Sequence, residues 1–306
     1  MIPQRDLRAA PFPQTVLWTR GDGCHELADL LASKRAIQVV GDPYEAGIRY
    51  RADMVVMKQV GSLDLLPVGA PTAFDAEGAS NIVAAVGHGP NSRLATIVAS
   101  RLAERLNIPA EAVTAVRPGA PRAEARRTVD RARANSGIPG RVVEARSEAG
   151  LLESIPPSTL LVLGAPGGSW LHRQFFGPGA RLRTHAPAGT IVVRDAPRRA
   201  FHFMTEPAGV SGHLRVREAL GILSEEVTPV VDEGHLVGVI RREALVEAEP
   251  DREIADVMET PAFVEATDEV GEIEYVLEFY EGSRIPLVDR KGKLVGLLDP
   301  TDVAAG

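Results

Sequence analysis

The sequence predicts an α/β fold: an open, mostly parallel sheet, preceded by an N-terminal α/β half-unit and followed by an α+β pair of modules. Three observations carry this. Short Val/Ile-rich runs alternate with helix-periodic stretches through the middle of the chain, the same alternation appears on a smaller scale before it, and the stretches Met204–Leu245 and Met258–Val303 align with each other. Strands alternating with helices imply parallel pairing through right-handed crossovers. A repeat of about 55 residues used twice implies two modules about a pseudo-two-fold, because neither alone buries its apolar face.

In the first segment Thr15–Thr19 reads as a strand, Cys24–Ser33 as a helix, Ile37–Gly41 as a strand, Tyr44–Tyr50 as helical and Met54–Val60 as a strand. Gly61–Ser80, with Pro67, Gly69, Pro71 and Gly78, reads as a linker. The middle segment opens on the apolar run Asn81–Gly87, then His88-Gly89-Pro90 and a periodic helix from Leu94 to Leu106. Strands Ala112–Val116, Arg141–Ala145, Leu160–Gly164 and Thr190–Arg194 follow, separated by helices over Arg122–Ala134, Glu148–Ser154 and part of Ser169–His185. In such sheets ligands bind at the carboxyl ends of strands where the crossover direction changes, which points to the loops after Val86 and Leu163. Each C-terminal module runs through a helix (Val216–Ser224; Val270–Tyr280), a Pro-centred strand (Thr228–Asp232; Ile285–Asp289), a charged turn, a second strand (Leu236–Ile240; Leu294–Leu298) and a short closing helix. The expected domains are therefore 1–77, 78–197 and 198–306, the last split at about 200–249 and 254–306.

Composition narrows the function. The 306 residues carry a net charge of −7, with 44% hydrophobic and 25% charged residues, ordinary for a soluble globular protein. Cut at 77/78 and 197/198, the segments carry −2, +7 and −12, and all 15 basic residues of the middle one are arginines. A basic middle beside an acidic end fits an anionic ligand or mutual attraction of the segments, and equally a genome's preference for arginine. No apolar run approaches the ~18 residues of a membrane span and the N-terminus has no apolar signal core, so a cytoplasmic protein without membrane insertion is expected. The single cysteine, Cys24, excludes an internal disulfide and a CxxC site; it opens a helix, which lowers a thiol pKa, yet reads best as a small buried thiol. The seven histidines show no HxH or HExxH spacing, and Gly168-Ser169-Trp170 lacks the nucleophile elbow, so no catalytic residue or metal site is expected. The arginines at 122, 126, 127, 131 and 133 form a helix face that Glu124 and Asp130 can neutralise, and no aromatic platform supports nucleic-acid binding.

Residues 78–197 resemble the universal stress protein family, a Rossmann-type fold. The resemblance rests on the strand Ile82–Val86, on Gly164-Ala165-Pro166-Gly167 followed by Gly177, and on His185-Ala186-Pro187 leading into Thr190–Arg194. It implies an ATP site in which Gly164, Gly167, Gly168 and Gly177 cradle ribose and phosphates, with Gly87 and His88 at the end of the first strand. Glycines let backbone N–H groups approach phosphate oxygens, and a helix N-terminus favours an anion. Two positions depart from the family: Pro178 stands where a hydroxyl residue is usual, and Gly87 and His88 stand where an Asp is usual.

Residues 198–306 resemble a tandem pair of cystathionine-beta-synthase (CBS) domains. Met258-Glu259-Thr260-Pro261, Arg284-Ile285-Pro286-Leu287-Val288-Asp289 and Leu294 through Asp302 carry it. The resemblance implies an adenosyl site in the second module, with Asp302 accepting ribose hydroxyls, Asp299 at the hydroxyl position of the family motif, and backbone near Arg284, Ile285 and Pro286; a carboxylate suits the ribose because it offers only acceptors. In the first module Arg241 and Ala244 hold the corresponding positions, so at most one such site is expected. A triphosphate there is disfavoured unless Arg241, Arg242 or Arg284 points inward. Together the resemblances imply a non-catalytic regulatory or stress protein that responds to ATP or AMP, with a scaffold regulating a partner such as a transporter or enzyme as the alternative. Both families commonly dimerise, so a homodimer is implied as well, through the last strand, Thr190–Arg194, in the universal-stress-like part.

Overall fold

The computed structural model describes residues 12–305 apart from 62, 88, 147–149, 152, 166–187 and 281–283. The chain forms two compact units that divide at 196/197.

Unit one is built on a nine-stranded sheet. Its elements are β1 (Thr15–Trp18), α1 (Cys24–Leu31), β2 (Arg35–Gln38), α2 (Pro43–Tyr50), β3 (Met54–Val56), β4 (Val68–Thr72), β5 (Asn81–Ala85), α3 (Pro90–Leu106), β6 (Ala110–Val116), α4 (Ala123–Ser136), β7 (Gly140–Glu144), β8 (Thr159–Gly164) and β9 (Thr190–Arg194). The strands lie in the order β2-β1-β3-β4-β9-β8-β5-β6-β7. All neighbours are parallel except β4 and β9, which run antiparallel from Val68↔Arg194 to Thr72↔Thr190. β8 is buried along its whole length, as expected of a central strand covered on both faces. Helix signals act where the sequence places them: Asp42 caps α2 with Pro43 in the first turn, Pro90 opens α3, and Gly137 ends α4 at a φ of 74° that suits a residue without Cβ.

Two features differ from the sequence expectation. The supposed linker contains a buried interior strand, β4. Val55 and Met57 donate to the carbonyls of Pro67 and Gly69, so Pro71 faces the same side just past the last bond to β3, where its missing N–H costs nothing. The boundary expected at 77/78 therefore runs through one continuous sheet rather than between two domains. Second, β9 is paired on both sides, by β8 and β4, so the homodimer expected through Thr190–Arg194 has no free edge to use.

One apolar cluster spans both halves of this unit, from Leu27 and Leu31 of α1 to Val98 and Leu102 of α3, with Ile82, Leu160, Val162 and Ile191 from the sheet. Full burial of a side chain such as Leu102 contributes about 2 kcal/mol. Two arginines of α3 tie the halves further. Arg101 Nη2 and Arg105 Nη2 donate to the Ala32 carbonyl at 3.3 and 2.9 Å, and Arg105 Nε to Leu30 at 3.4 Å, satisfying carbonyls that the end of α1 leaves unpaired.

Unit two contains β10 (Met204–Thr205), β11 (Val210–Ser211), α5 (Val216–Ile222), β12 (Val227–Asp232), β13 (His235–Arg241), α6 (Arg242–Glu247), β14 (Val264–Glu265), α7 (Val270–Phe279), β15 (Ile285–Val288), β16 (Leu294–Leu298) and α8 (Pro300–Ala305). It holds two small sheets, β11-β12-β13 and β10-β16-β15-β14. The entry segment of each module pairs with the last strand of the other module. β10 of module 1 pairs with β16 of module 2 (Met204↔Leu298). Glu259 of module 2 exchanges both backbone bonds with Val239 on β13, at 2.8 and 3.0 Å. The crossing is tight at two equivalent glycines. A Cβ on Gly296 would lie 2.9 Å from Met204 Cβ and 2.9 Å from the Thr205 carbonyl, and one on Gly238 would lie 2.5 Å from Met258 Sδ and 3.1 Å from the Glu259 carbonyl. The turns after β12 and β15 also meet, with Leu236 N–H bonded to Gly292 and Leu294 N–H to Gly234, both at 3.0 Å. The modules thus interlock about the pseudo-two-fold that their repeated sequence implies.

Candidate functional site

The β15–β16 hairpin of module 2 gathers the residues singled out there. Antiparallel pairing of Ile285 with Leu298 and Pro286 with Leu297 brings Arg284 and Asp299 to the same end of the hairpin. Ile285 is fully buried, so its side chain anchors the strand and leaves backbone as the recognition surface at this point. Asp299 caps α8: its Oδ1 accepts from Thr301 N–H at 2.8 Å and from the Thr301 hydroxyl at 2.6 Å. The Thr301 hydroxyl, then its N–H, and the nearby Arg284 hold the Asp299 carboxyl below the usual range, so it is an anion at neutral pH. Asp302, one turn along, is exposed; its backbone N–H donates to the Asp299 carbonyl at 3.1 Å, and its carboxylate has no hydrogen bond or ion pair among the described residues.

The surroundings contain groups that sequence reasoning did not assign. Glu225, from the segment of module 1 before β12, faces Arg284 at 3.8 Å. Tyr280 donates its hydroxyl to the Arg284 carbonyl at 3.0 Å. Burial pushes the Tyr280 phenol up, and the positive charge of Arg241 partly opposes that shift. Neither residue carried a motif: Glu225 is one acid in a run of two, and Tyr280 is simply the last predicted helical residue.

The corresponding positions of module 1 are chemically different. Arg241 Nε pairs with Glu259 Oε2 at 3.2 Å. Arg242 donates to the Leu223 carbonyl at the end of α5. Ala244 occupies the position of Asp302 and offers no acceptor. The pseudo-two-fold is thus kept by the backbone and broken by the side chains.

In unit one the crossover direction changes between β5 and β8, as expected, and their carboxyl ends lie side by side. Gly87 N–H donates to Ser92 Oγ at 2.9 Å. Asn91 bridges two strand ends, donating to the Ala165 carbonyl at 3.0 Å and accepting from Asp195 N–H at 2.7 Å. A Cβ on Gly164 would sit 2.9 Å from the Asn91 carbonyl carbon, so this glycine has a packing reason for its identity. A cavity of about 80 Å³ opens here, lined by residues including Gly87, Gly89, Ser92, Arg93, Thr128 and Arg131. His88, Gly167, Gly168 and Gly177, also expected at this edge, lie outside the described residues. Burial raises the Asp195 pKa, an effect that the Ala196 N–H and Arg93 partly offset. Cys24 is buried, and burial followed by Asp22 pushes its thiol up, in keeping with a packing role rather than an activated nucleophile. Among the described residues no group of three or more metal-ligating side chains assembles, and no helix is long and apolar enough to cross a membrane.

Comparison with known proteins places the second unit. Residues 199–251 and 254–305 each match the CBS domain family. No curated protein matches the chain. Among solved structures, the cytosolic domain of the Mg2+ channel MgtE in complex with ATP is 28% identical, covering 35% of this chain and 48% of that one, with a TM-score of 0.33. This chain therefore spans about half the length of that relative. CBSX2 in complex with AMP is 24% identical over 35% of this chain and 93% of that one, with a TM-score of 0.32. A CBS domain pair/ACT domain protein from Thermotoga maritima is 23% identical over 35% and 94%, with a TM-score of 0.33. Residues 199–305 carry a tandem pair of CBS domains.

Proposed function

We propose that this chain is a regulatory protein whose CBS pair binds one adenine nucleotide in module 2, with Asp302 accepting the ribose hydroxyls. The observation that carries this is the asymmetry of the pair. Asp302 is exposed and unengaged among the described residues, whereas module 1 offers Ala244 and an Arg241–Glu259 ion pair in the equivalent place. A ribose needs acceptors, and only one module provides the carboxylate. Binding regulates when the ligand has different affinity for two states of the protein, and the interlocked modules are the element whose arrangement it biases. The universal-stress-like reading of residues 78–197 is supported by the strand order β7-β6-β5-β8-β9 and by the cavity at the end of β5, which make that edge the second place to look for nucleotide.

The test is thermal unfolding of the full chain, followed by calorimetry to separate the two units, with AMP and ATP as probes beside Asp302→Ala. A ligand at 100 times its dissociation constant adds about 2.7 kcal/mol to the unit that binds it, a shift of several degrees. The expected result is a rise in one transition that Asp302→Ala abolishes. No shift with either nucleotide replaces this reading with that of a scaffold that regulates a protein partner without a small ligand.

A further inference from the structure

Resting on that reading, we infer that the module 2 site takes an adenosyl group carrying no more than one phosphate, and that Glu225 is the residue that sets this limit. Phosphate recognition needs cations or free N–H donors aimed at the oxygens. Among the described residues around this site, those that could serve already have partners. Arg284, the cation nearest the hairpin end, is held toward Glu225 at 3.8 Å. Arg241 is paired with Glu259 at 3.2 Å, and Arg242 is bound to the Leu223 carbonyl. The first turn of α8 has its Thr301 N–H taken by Asp299, and Pro300 has none to offer.

Two carboxylates then face any ligand seated on Asp302. Asp299 remains an anion through its bonds to Thr301, and Asp302 lies three residues on. Each phosphate added beyond the first brings further negative charge toward these groups, while Arg284, Arg241 and Arg242 each already face another partner, so affinity falls as the phosphate chain lengthens. Glu225 is the adjustable element because the Glu225–Arg284 pair is loose and exposed, with side chains 53% and 42% accessible. Its removal frees a guanidinium beside the ligand without disturbing the core.

The experiment is titration calorimetry of the full chain with adenosine, AMP and Mg-free ATP at one fixed ionic strength, repeated on Glu225→Gln and Asp302→Ala. In the unsubstituted protein adenosine and AMP should bind within about threefold of each other and ATP at least about tenfold more weakly. Glu225→Gln should improve ATP by several fold while leaving adenosine unchanged, and Asp302→Ala should weaken all three. ATP binding as tightly as AMP, with Asp302→Ala still weakening both, overturns the inference and leaves the proposed function standing. An ATP-to-AMP ratio unmoved by Glu225→Gln overturns the role of Glu225. Binding of none of the three by the unsubstituted protein removes the proposed function, and this inference with it.

Discussion

Module 1 and module 2 of the CBS pair share a backbone plan and differ in what they present on it. Gly238 and Gly296 occupy equivalent points, each letting the other module's entry strand pass against Met258 or Met204. Three residues after each glycine the modules diverge: Arg241 faces Glu259 in one, and Asp299 caps α8 in the other. Interlocking requires both glycines, so both persist as architecture. Ligand chemistry requires only one carboxylate in one place, so the second copy is free to become an internal ion pair.

Substitutions can break or sharpen this contrast. The largest effect is expected at the shared feature. Gly296→Ala brings a Cβ to 2.9 Å from both the Met204 Cβ and the Thr205 carbonyl, besides the Met204 thioether, and should destabilise unit two by about 2–3 kcal/mol; Gly238→Ala meets chiefly the flexible Met258 side chain, with the Glu259 carbonyl farther off at 3.1 Å, and should cost about 1–2 kcal/mol. Calorimetric melting of the unit two transition measures both, and equal costs at the two sites contradict the difference in their neighbours. Next, copying module 2 into module 1 with Arg241→Asp and Ala244→Asp should raise the AMP stoichiometry from one to two per chain. Titration that stays at one shows that more than these two side chains separates the modules.

A smaller effect is expected at the cap. Asp299→Ala removes both bonds to Thr301 and should cost about 1 kcal/mol, read from the same transition. The smallest effect is in pH dependence. The Asp299 pKa is lowered in the folded chain, so its contribution is fully present above the ordinary carboxylate range and is lost as pH falls through its folded value. Asp195 in unit one has the opposite sign: its raised pKa makes the ionised form a cost at neutral pH that acidification relieves. Melting of Asp299→Asn and Asp195→Asn against the unsubstituted chain at neutral pH and at a pH well below the ordinary carboxylate range should therefore show Asp299→Asn destabilising chiefly at neutral pH and Asp195→Asn stabilising there. Matching signs for the two refute this assignment.

How much of this could be read in the sequence follows from the range over which each feature is encoded. The strands and helices of residues 81–144 follow local periodicity and local caps, and the sequence places them within a few residues. Strand β4 was hidden because Gly69 and Pro71 are breakers by local rules, and only the absence of a β3 bond beyond Gly69 makes the proline tolerable. That β9 is an interior strand was equally hidden, since its second neighbour lies far earlier in the chain. In the candidate site Asp302, Asp299 and Arg284 were named through the family resemblance, but the use of Asp299 as a helix cap depends on Thr301. The approach of Glu225 to Arg284 depends on the interlocking of two modules, which no short window of sequence encodes.

The placement of β4 beside β9 also sets a schedule for synthesis. The two strands lie about 120 residues apart, so at about 5–20 residues per second a ribosome takes on the order of ten seconds to deliver the neighbour that β4 requires. Through that interval the emerging chain carries β4 with one side of its backbone unpaired, a template for strands of other nascent chains. Arrest of translation before residue 190 should leave a protease-sensitive first half, and release of the last strand should protect it. For this protein the order in which residues leave the ribosome belongs to the conditions under which the fold is reached.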